Sequence, residues 1–347
     1  MHNPKVSIII VNYNGAEYLP ELFASLAKQS FQDFEIIVVD NASQDDSLKF
    51  LKAQKGLKLI ESNENLGFAG GNNLGEKLAV GKYIALLNND TSLDPNWLSE
   101  LVSALEKDGK RGAVVSKIYL SKQGLTKKVF DSAGSLYNNI GSCWSRGYLE
   151  EDVGQYDKEE EVPMGTACSL LFRKEILDQT YLFDSDYFMY VEEFDFNLRL
   201  RKLGYTVWYV PSSVVWHKTS QAVRHEIKNE KFKMKNVKEI LFKQEYGNAN
   251  RLNVLIKHYP TSLLMRNGFL IFMSFVYWDY YFAWHGGFKT YFSLKTRQWK
   301  MFSKAWQERK IWANADQSWQ KWMTQHSLQD LLQFKRETAR RRLQYGE

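Results

Sequence analysis

Val6-Ser7-Ile8-Ile9-Ile10-Val11-Asn12-Tyr13-Asn14-Gly15 is the run that decides the fold class. Its first six residues are mostly β-branched and apolar, the pattern of a strand buried on both faces. Asn12-Tyr13-Asn14-Gly15 breaks the strand. Residues 16–29 then place Leu19, Leu22, Phe23 and Leu26 on one helical stripe. The same grammar repeats downstream. Glu35-Ile36-Ile37-Val38-Val39-Asp40 reads as a second buried strand, followed by Asn41-Ala42-Ser43, with Ser43 or Asp45 expected to cap the next helix. Leu57-Lys58-Leu59-Ile60 is a third strand. Tyr83-Ile84-Ala85-Leu86-Leu87 is a fourth, ending on Asn88-Asn89-Asp90. Strands alternating with helices predict an α/β fold, with a mostly parallel sheet, right-handed crossovers and flanking helices.

Ligands on such sheets bind at the carboxyl ends of the strands. Here those ends carry Asn12, Tyr13, Asn14, Asp40, Asn41 and Asp90. Each alone fits ordinary turn chemistry. Three polar strand ends in one domain favour a binding site. The dinucleotide fingerprint and the P-loop are both absent after the first strand, which removes the main support for a dehydrogenase or an ATPase. Asn63-Glu64-Asn65-Leu66-Gly67-Phe68-Ala69-Gly70-Gly71-Asn72-Asn73 opens a helix, so Asn65, Gly70 and Gly71 could let a ligand's hydroxyls or phosphate approach the backbone; a tight turn is the alternative. Asp90, with Asn89 beside it, suits a hard cation that bridges substrate phosphates.

A second informative stretch is Tyr187-Phe188-Met189-Tyr190-Val191-Glu192-Glu193-Phe194-Asp195. It sets three carboxylates in an aromatic segment, before a helix that Gly204 should close. Buried carboxylates are costly without partners and are kept where a proton is taken or a cation held. The alternative is a solvated helix start, where acids suit the macrodipole.

The 347 residues, 44% apolar, suffice for one large domain plus an appendage, or for two domains. Cys143 and Cys168 show no metal-type spacing and point to a reducing compartment. Met1-His2-Asn3-Pro4-Lys5 leads straight into a strand, without a signal-peptide pattern. Charge is uneven. Residues 224–347 hold 23 Lys and Arg against 10 Asp and Glu, whereas residues 1–223 hold 23 against 30. The basic third favours anionic partners.

These motifs resemble the family 2 glycosyltransferases of the GT-A nucleotide-sugar-binding fold, over about residues 5–220. The opening strand, Val39-Asp40-Asn41-Ala42-Ser43, Asn65 to Asn73 and Asn88-Asn89-Asp90 (in place of a D-x-D motif) carry the resemblance. The rhamnosyltransferase-like bacterial branch shares Phe130-Asp131-Ser132-Ala133-Gly134, Arg146-Gly147, Gly154-Gln155-Tyr156 and Val214-Val215-Trp216-His217. The resemblance implies inverting transfer from a nucleoside-diphosphate sugar, with dTDP-rhamnose the donor that the branch suggests. It implies that Asp40 reads the base, that Tyr13 and Asn14 line the same pocket, and that Asn65 and Gly71 lie near the ribose or sugar. It further implies that Asp90 and His217 bind a divalent metal, Mg2+ or Mn2+, and that Glu193 is the base. Asp195 is held in reserve as base and Glu192 as a supporting acid. Two positions depart from the family pattern: Asn88 replaces the first aspartate, and Glu193 stands where the family has aspartate. Asp131 is assigned either to the donor sugar or to a turn. Residues 126–223 are expected to form the acceptor side, shaped by Arg146, Tyr148, Tyr156 and Gly165-Thr166-Ala167, with Glu159-Glu160-Glu161 a solvated loop.

The C-terminal region, 224–347, reads as a helical extension of the catalytic domain, 1–223, whose nucleotide-binding part is 1–125. Amphipathic helices are expected over Arg224 to Glu245 and Arg251 to Arg266. Gly268 to Trp278 is strongly apolar but short for a membrane span. With Tyr280, Tyr281 and Trp284 it fits an in-plane interfacial segment, or a helical hairpin packed on the domain or in a homodimer. No nucleic-acid module is recognisable. The expected protein is a cytoplasmic enzyme, peripheral on the inner face of the cell membrane, that extends a glycan or lipid-linked acceptor for a surface polysaccharide. The alternatives are a catalytically weak sugar-nucleotide-binding subunit and a membrane scaffold.

Overall fold

The computed structural model describes residues 3–121, 126–218, 232–312, 318–325 and 327–345. The first half alternates as expected: β1 (Val6–Asn12), α1 (Leu19–Leu26), β2 (Phe34–Asp40), α2 (Ser47–Ala53), β3 (Leu57–Glu61), α3 (Gly67–Glu76) and β4 (Tyr83–Asn88). Then come β5 (Thr91–Leu93), α4 (Trp97–Glu106), β6 (Arg111–Leu120), β7 (Phe130–Ser132), β8 (Ser135–Tyr137), β9 (Cys143–Ser145), β10 (Glu160–Glu161) and β11 (Ser169–Arg173). α5 (Glu192–Lys202) and β12 (Thr206–His217) complete the sheet region. The C-terminal region is helical: α6 (Phe232–His258), α7 (Thr261–His285), α8 (Gly287–Trp312), α9 (Lys321–Gln325) and α10 (Leu328–Tyr345).

The main sheet runs β10-β12-β6-β11-β4-β1-β2-β3, with β5 on β12 and β7 on β6. β1 to β4 are mutually parallel, as the sequence predicts. The other half is mixed: β11 runs antiparallel to both β4 and β6, while β12 is parallel to β6. Register decides where the site lies. Asn12 pairs with Asp40 and Val11 with Asn88, so three polar strand ends share one edge. β12 delivers His217 to that edge, opposite Thr91.

Alternation along the strands feeds two cores. Ile8, Ile10, Val38, Leu87 and Val114 meet α1, α2 and α4 on one face. Ile9, Ile37, Leu86, Val115 and Phe172 meet Ala69 of α3, Phe194 and Leu198 of α5, and Leu241, Val254, Leu255, Phe282 and Trp319 of the C-terminal helices. The helical region is therefore built into the second core. The proposed boundary after residue 223 falls in 219–231, outside the described residues, as does the expected helix over 224–231. The helix expected over 251–266 is broken at Pro260, which cannot donate to the preceding turn, so α6 ends at His258 and α7 begins at Thr261.

α5 ends as predicted. Gly204 has φ +88°, its N–H donates to Arg201 O (2.9 Å), and Tyr205 N–H donates to Leu200 O (3.2 Å), a Schellman closure. Glu159-Glu160-Glu161 is not a solvated loop. Glu160 and Glu161 form β10 against β12, and the three carboxylates pair with Arg111, Arg146 and Arg201 respectively. Arg146, expected on the acceptor side, is spent on Glu160 (2.6 Å) and Ala133 O (2.7 Å).

Candidate active site

A cavity of about 320 Å³ opens at the carboxyl edge of β1 and β4. Tyr13, Asn41, Asn65, Asn89, Asp90 and His217 line it, together with Glu192 and Glu193 from the start of α5. These eight predicted residues, from six separate parts of the chain, share one cavity. Asp131, Thr166, Cys168, Phe188 and Tyr190 are among the other residues on its wall.

The ends of β1, β2 and β4 are tied by a hydrogen-bonded lattice. Asn12 Nδ2 donates to Asp40 Oδ1 (2.9 Å) and Ser43 Oγ (3.1 Å), and Asn89 Nδ2 donates to Asn12 Oδ1 (2.8 Å). Ser43 N–H donates to the second Asp40 oxygen (3.1 Å). Asn41 Nδ2 donates to Asn65 Oδ1 (3.0 Å) and Gly67 O (3.0 Å). Asn12 and Asp40 are thus buried and mutually satisfied, and they brace the cavity floor rather than line it. Asn14, with φ +51°, also lies off the wall; its side chain accepts the Gln44 N–H (2.7 Å). Ser43 serves these strand ends and does not cap α2; Asp45 accepts the Ser47 N–H (3.0 Å) instead.

Gly70 and Gly71 are not on the cavity wall either. A Cβ on Gly71 would lie 2.7 Å from Val11 Cγ1, and one on Gly70 2.9 Å from Leu66 Cβ. The smallness of Gly71 seats α3 against β1, and that of Gly70 leaves room for Leu66 at the start of the same helix. Gly67 is the residue that meets the cavity: it has φ +71°, and a Cβ there would lie 2.2 Å from Phe188 O.

At the ends of β4 and β12, His217 Nε2 lies 3.1 Å from Asp90 Oδ1, and Nδ1 lies 2.8 Å from Asp131 Oδ2. Asn88 Nδ2 approaches Nε2 at 3.3 Å. Burial would depress the imidazole pKa, but Asp90, Cys168 and Asp131 more than offset this and raise it well above the usual value. Burial likewise works to raise the Asp90 pKa, and His217 reverses it to a net lowering. No cluster of three or more ligating side chains occurs among the described residues. The donor set fits a cation held by one carboxylate and one imidazole, with positions left for substrate oxygens and water. Asp131 on Nδ1 fixes the ring as second-layer carboxylates do beside metal-bound histidines.

Across the cavity, Glu192 is 4% exposed and Glu193 is half-buried at its wall. The two side chains hydrogen-bond each other. Burial, then the Glu193 charge, raises Glu192 well above the ordinary carboxyl range; burial also raises Glu193. Such a pair shares a proton, which leaves Glu193 as the carboxylate facing the cavity. Asp195 is excluded from this role. It is fully buried behind the site, ion-paired to Arg199 (2.8 Å) and Lys257 (3.0 Å), with His258 Nε2 at 2.8 Å. Burial alone would raise its pKa, but Lys257 and Arg199 hold it well below normal. Its sequence position, two after Glu193, turns it to the opposite side of α5.

Two features escape sequence reading. Tyr190 and Val191 both take left-handed φ, +69° and +73°, immediately before the glutamates. For a β-branched valine this conformation is strained. Asn250 of α6 holds it: Nδ2 donates to Tyr190 O (2.7 Å) and Met189 O (3.1 Å). Neither glycine nor asparagine marks the bend, and Asn250 lies about sixty residues away in sequence.

Residues 7–180 match the family described as Glycosyl transferase family 2. The chain belongs to that family. As a glycosyltransferase it is 28% identical over 235 residues to an uncharacterized glycosyltransferase of Haemophilus influenzae, covering 64% of this chain and 69% of that protein. It is 25% identical over 232 residues to the N-acetylglucosaminyl-diphospho-decaprenol L-rhamnosyltransferase of Mycobacterium tuberculosis, covering 60% and 75%. GalNAc-T7, solved with UDP, GalNAc and Mn2+, shares the fold at 18% identity and a TM-score of 0.53, covering 62% of this glycosyltransferase and 43% of that chain.

Proposed function

We propose that this glycosyltransferase moves a sugar, with inversion, from a nucleoside-diphosphate donor to the hydroxyl of a glycan or lipid-linked acceptor. One observation carries the reading: a single cavity is lined both by Glu192 and Glu193 and by Asp90 and His217. A sugar hydroxyl is a poor nucleophile until its proton is removed as attack develops. Glu193 takes that proton. Attack from the side opposite the departing diphosphate inverts the anomeric carbon. Glu192, buried and protonated, orients Glu193 and keeps a second negative charge out of the site. Asp90 and His217 would hold Mg2+ or Mn2+, which would supply positive charge for the leaving diphosphate. Asn41 and Asn65, with the floor of Asn12 and Asp40, receive the nucleoside end. Thr166 and Ala167 border the acceptor side.

The branch resemblance, and the mycobacterial rhamnosyltransferase relative, favour dTDP-rhamnose as the first donor to test and a lipid-linked glycan of a surface polysaccharide as the acceptor. Such an acceptor places the enzyme on the inner face of the cell membrane. The test is a donor panel read by released nucleoside diphosphate, with Asp90→Ala and Glu193→Gln beside the wild type. Loss of turnover in both variants is expected. Unchanged turnover in either would remove the role assigned to that residue.

A further inference from the structure

α7 and α8 form an antiparallel pair whose inner sides pack on the second core through Ile271, Phe275, Trp278, Phe282, Leu294 and Met301. Their outer sides also carry rows of exposed aromatic and aliphatic residues. On α7, Phe269, Phe272, Val276, Tyr280 and Trp284 follow at three- and four-residue steps and are 39–75% exposed. On α8, Trp299, Phe302 and Trp306 are 79%, 44% and 54% exposed. Their rings stack in a row, 6.3 Å apart with planes within 9°. Phe288 and Phe292 extend the row towards the α7–α8 turn. Exposed aromatic rows with basic and polar residues between them make these outer faces amphipathic, the pattern of an interfacial helix. Exposed apolar patches of this extent mark interaction surfaces.

The composition of the face selects its occupant. Residues 261–312 hold eight Lys and Arg against two acids. Arg266, Lys300 and Lys310 are exposed beside the aromatic rows. Interfaces between protein copies are depleted in lysine, whereas Trp and Tyr with a basic surround is the composition of a bilayer interface. No helix among the described residues is long and apolar enough to cross a membrane. We infer that the outer face of the α7–α8 pair lies in the plane of an anionic bilayer surface, with its aromatic rows among the headgroups and upper acyl chains and its lysines and arginines on the phosphates. This deepens the proposed function: it rests on a lipid-linked acceptor and names the surface that brings the enzyme to it. Both helices pack against the core that carries α5, so the attachment also fixes the orientation of the cavity to the membrane.

Flotation of the full chain tests the inference, with vesicles of phosphatidylcholine alone and of phosphatidylcholine mixed with phosphatidylglycerol. The wild type is expected to float with the anionic vesicles. Combined Phe269→Ser, Trp284→Ser and Trp299→Ser should cut recovery about tenfold or more, since each removes an interfacial anchor from an exposed position. Phosphatidylcholine with brominated chains should quench tryptophan emission of the wild type once anionic lipid is added, a reading that needs no variant. Wild type that stays unbound and unquenched with anionic vesicles overturns the inference. So does a dimer in sedimentation that the triple variant converts to a monomer without any flotation, since a second copy would then cover the face. Turnover with a water-soluble acceptor fragment is followed in parallel and should survive the triple substitution. Failure of that turnover in the wild type would strike the proposed reaction and leave the docking result standing.

Discussion

At the residue scale, the division of labour between two adjacent glutamates is open to direct test. Glu193→Gln should lower kcat by about 10²- to 10⁴-fold, the usual contribution of a positioned base. Glu192→Gln mimics the protonated acid and should keep most of the activity. Equal losses in both would show that the pair acts as one base. Because burial raises both carboxyls, the acid limb of kcat/KM should lie above the ordinary glutamate value of about 4.3. The sign for stability follows from the same direction. A carboxyl whose folded pKa is raised binds its proton more tightly in the native state. Wild-type stability should therefore fall as pH rises from about 4.3 towards the raised value, and Glu192→Gln should flatten that slope. Asn250 is the other residue to probe. Its two hydrogen bonds hold a bend that costs about 1–3 kcal/mol per strained residue. Asn250→Ala should lower kcat about 10- to 100-fold through misplacement of Glu193, with donor KM little changed. A proportional rise in KM instead would mean that the bend serves binding.

At the element scale, α5 couples the site to the helical region. Its first turn presents the glutamates, while Asp195 and Arg199 point back into a charged cluster. Lys257 of α6 closes that cluster, touching Asp184 (3.1 Å), Asp195 (3.0 Å) and Glu308 (2.8 Å), with its own side chain fully buried. Burial would depress Lys257, but Asp195 and Asp184 raise its pKa instead, so it stays charged. Lys257→Met would remove the buried cation that three carboxylates share, leaving Asp195 on Arg199, Asp184 on Lys304 and Glu308 on Tyr181. The expected cost is about 3–5 kcal/mol, read by denaturant unfolding. A cost below about 1 kcal/mol would mean that water reaches the cluster. The same cluster explains the misassignment of Asp195. In sequence it is one of three nearby acids; helix phase separates it from Glu193, and Arg199 together with a lysine and a histidine from α6 separates it from Glu192.

At the scale of the whole molecule, the helical region does not behave as an appendage. Leu241, Val254, Leu255, Phe282, Leu294 and Trp319 are buried in the core shared with β1, β4 and α5. At about 1.5–3 kcal/mol for each buried side chain, this contribution is as large as a typical net stability of about 5–15 kcal/mol. A chain ending at residue 223 should therefore be insoluble, or should lack a cooperative thermal transition. A soluble, cooperative fragment that still binds a nucleoside diphosphate would show that 1–223 folds alone.

The sequence by itself determined the α/β half, the edge that carries the site, and eight of the residues that meet in the cavity. Those features depend on periodicity and on local motifs, and both are written along the chain. Tertiary structure alone decided the rest. Gly71 proved to be a packing position, because a helix seated on β1 leaves no room for a Cβ, and Gly70 is held small by Leu66 at the start of the same helix. Asp40 and Asn12 turned inward because adjacent strand ends satisfy each other. Asp195 became structural because Lys257 and the neutral imidazole of His258, both about sixty residues away, ion-pair and hydrogen-bond to it. The bend before Glu192 exists because a side chain of α6 holds it. Each of these outcomes is a contact between distant segments, and no local pattern encodes which buried polar group will find which partner.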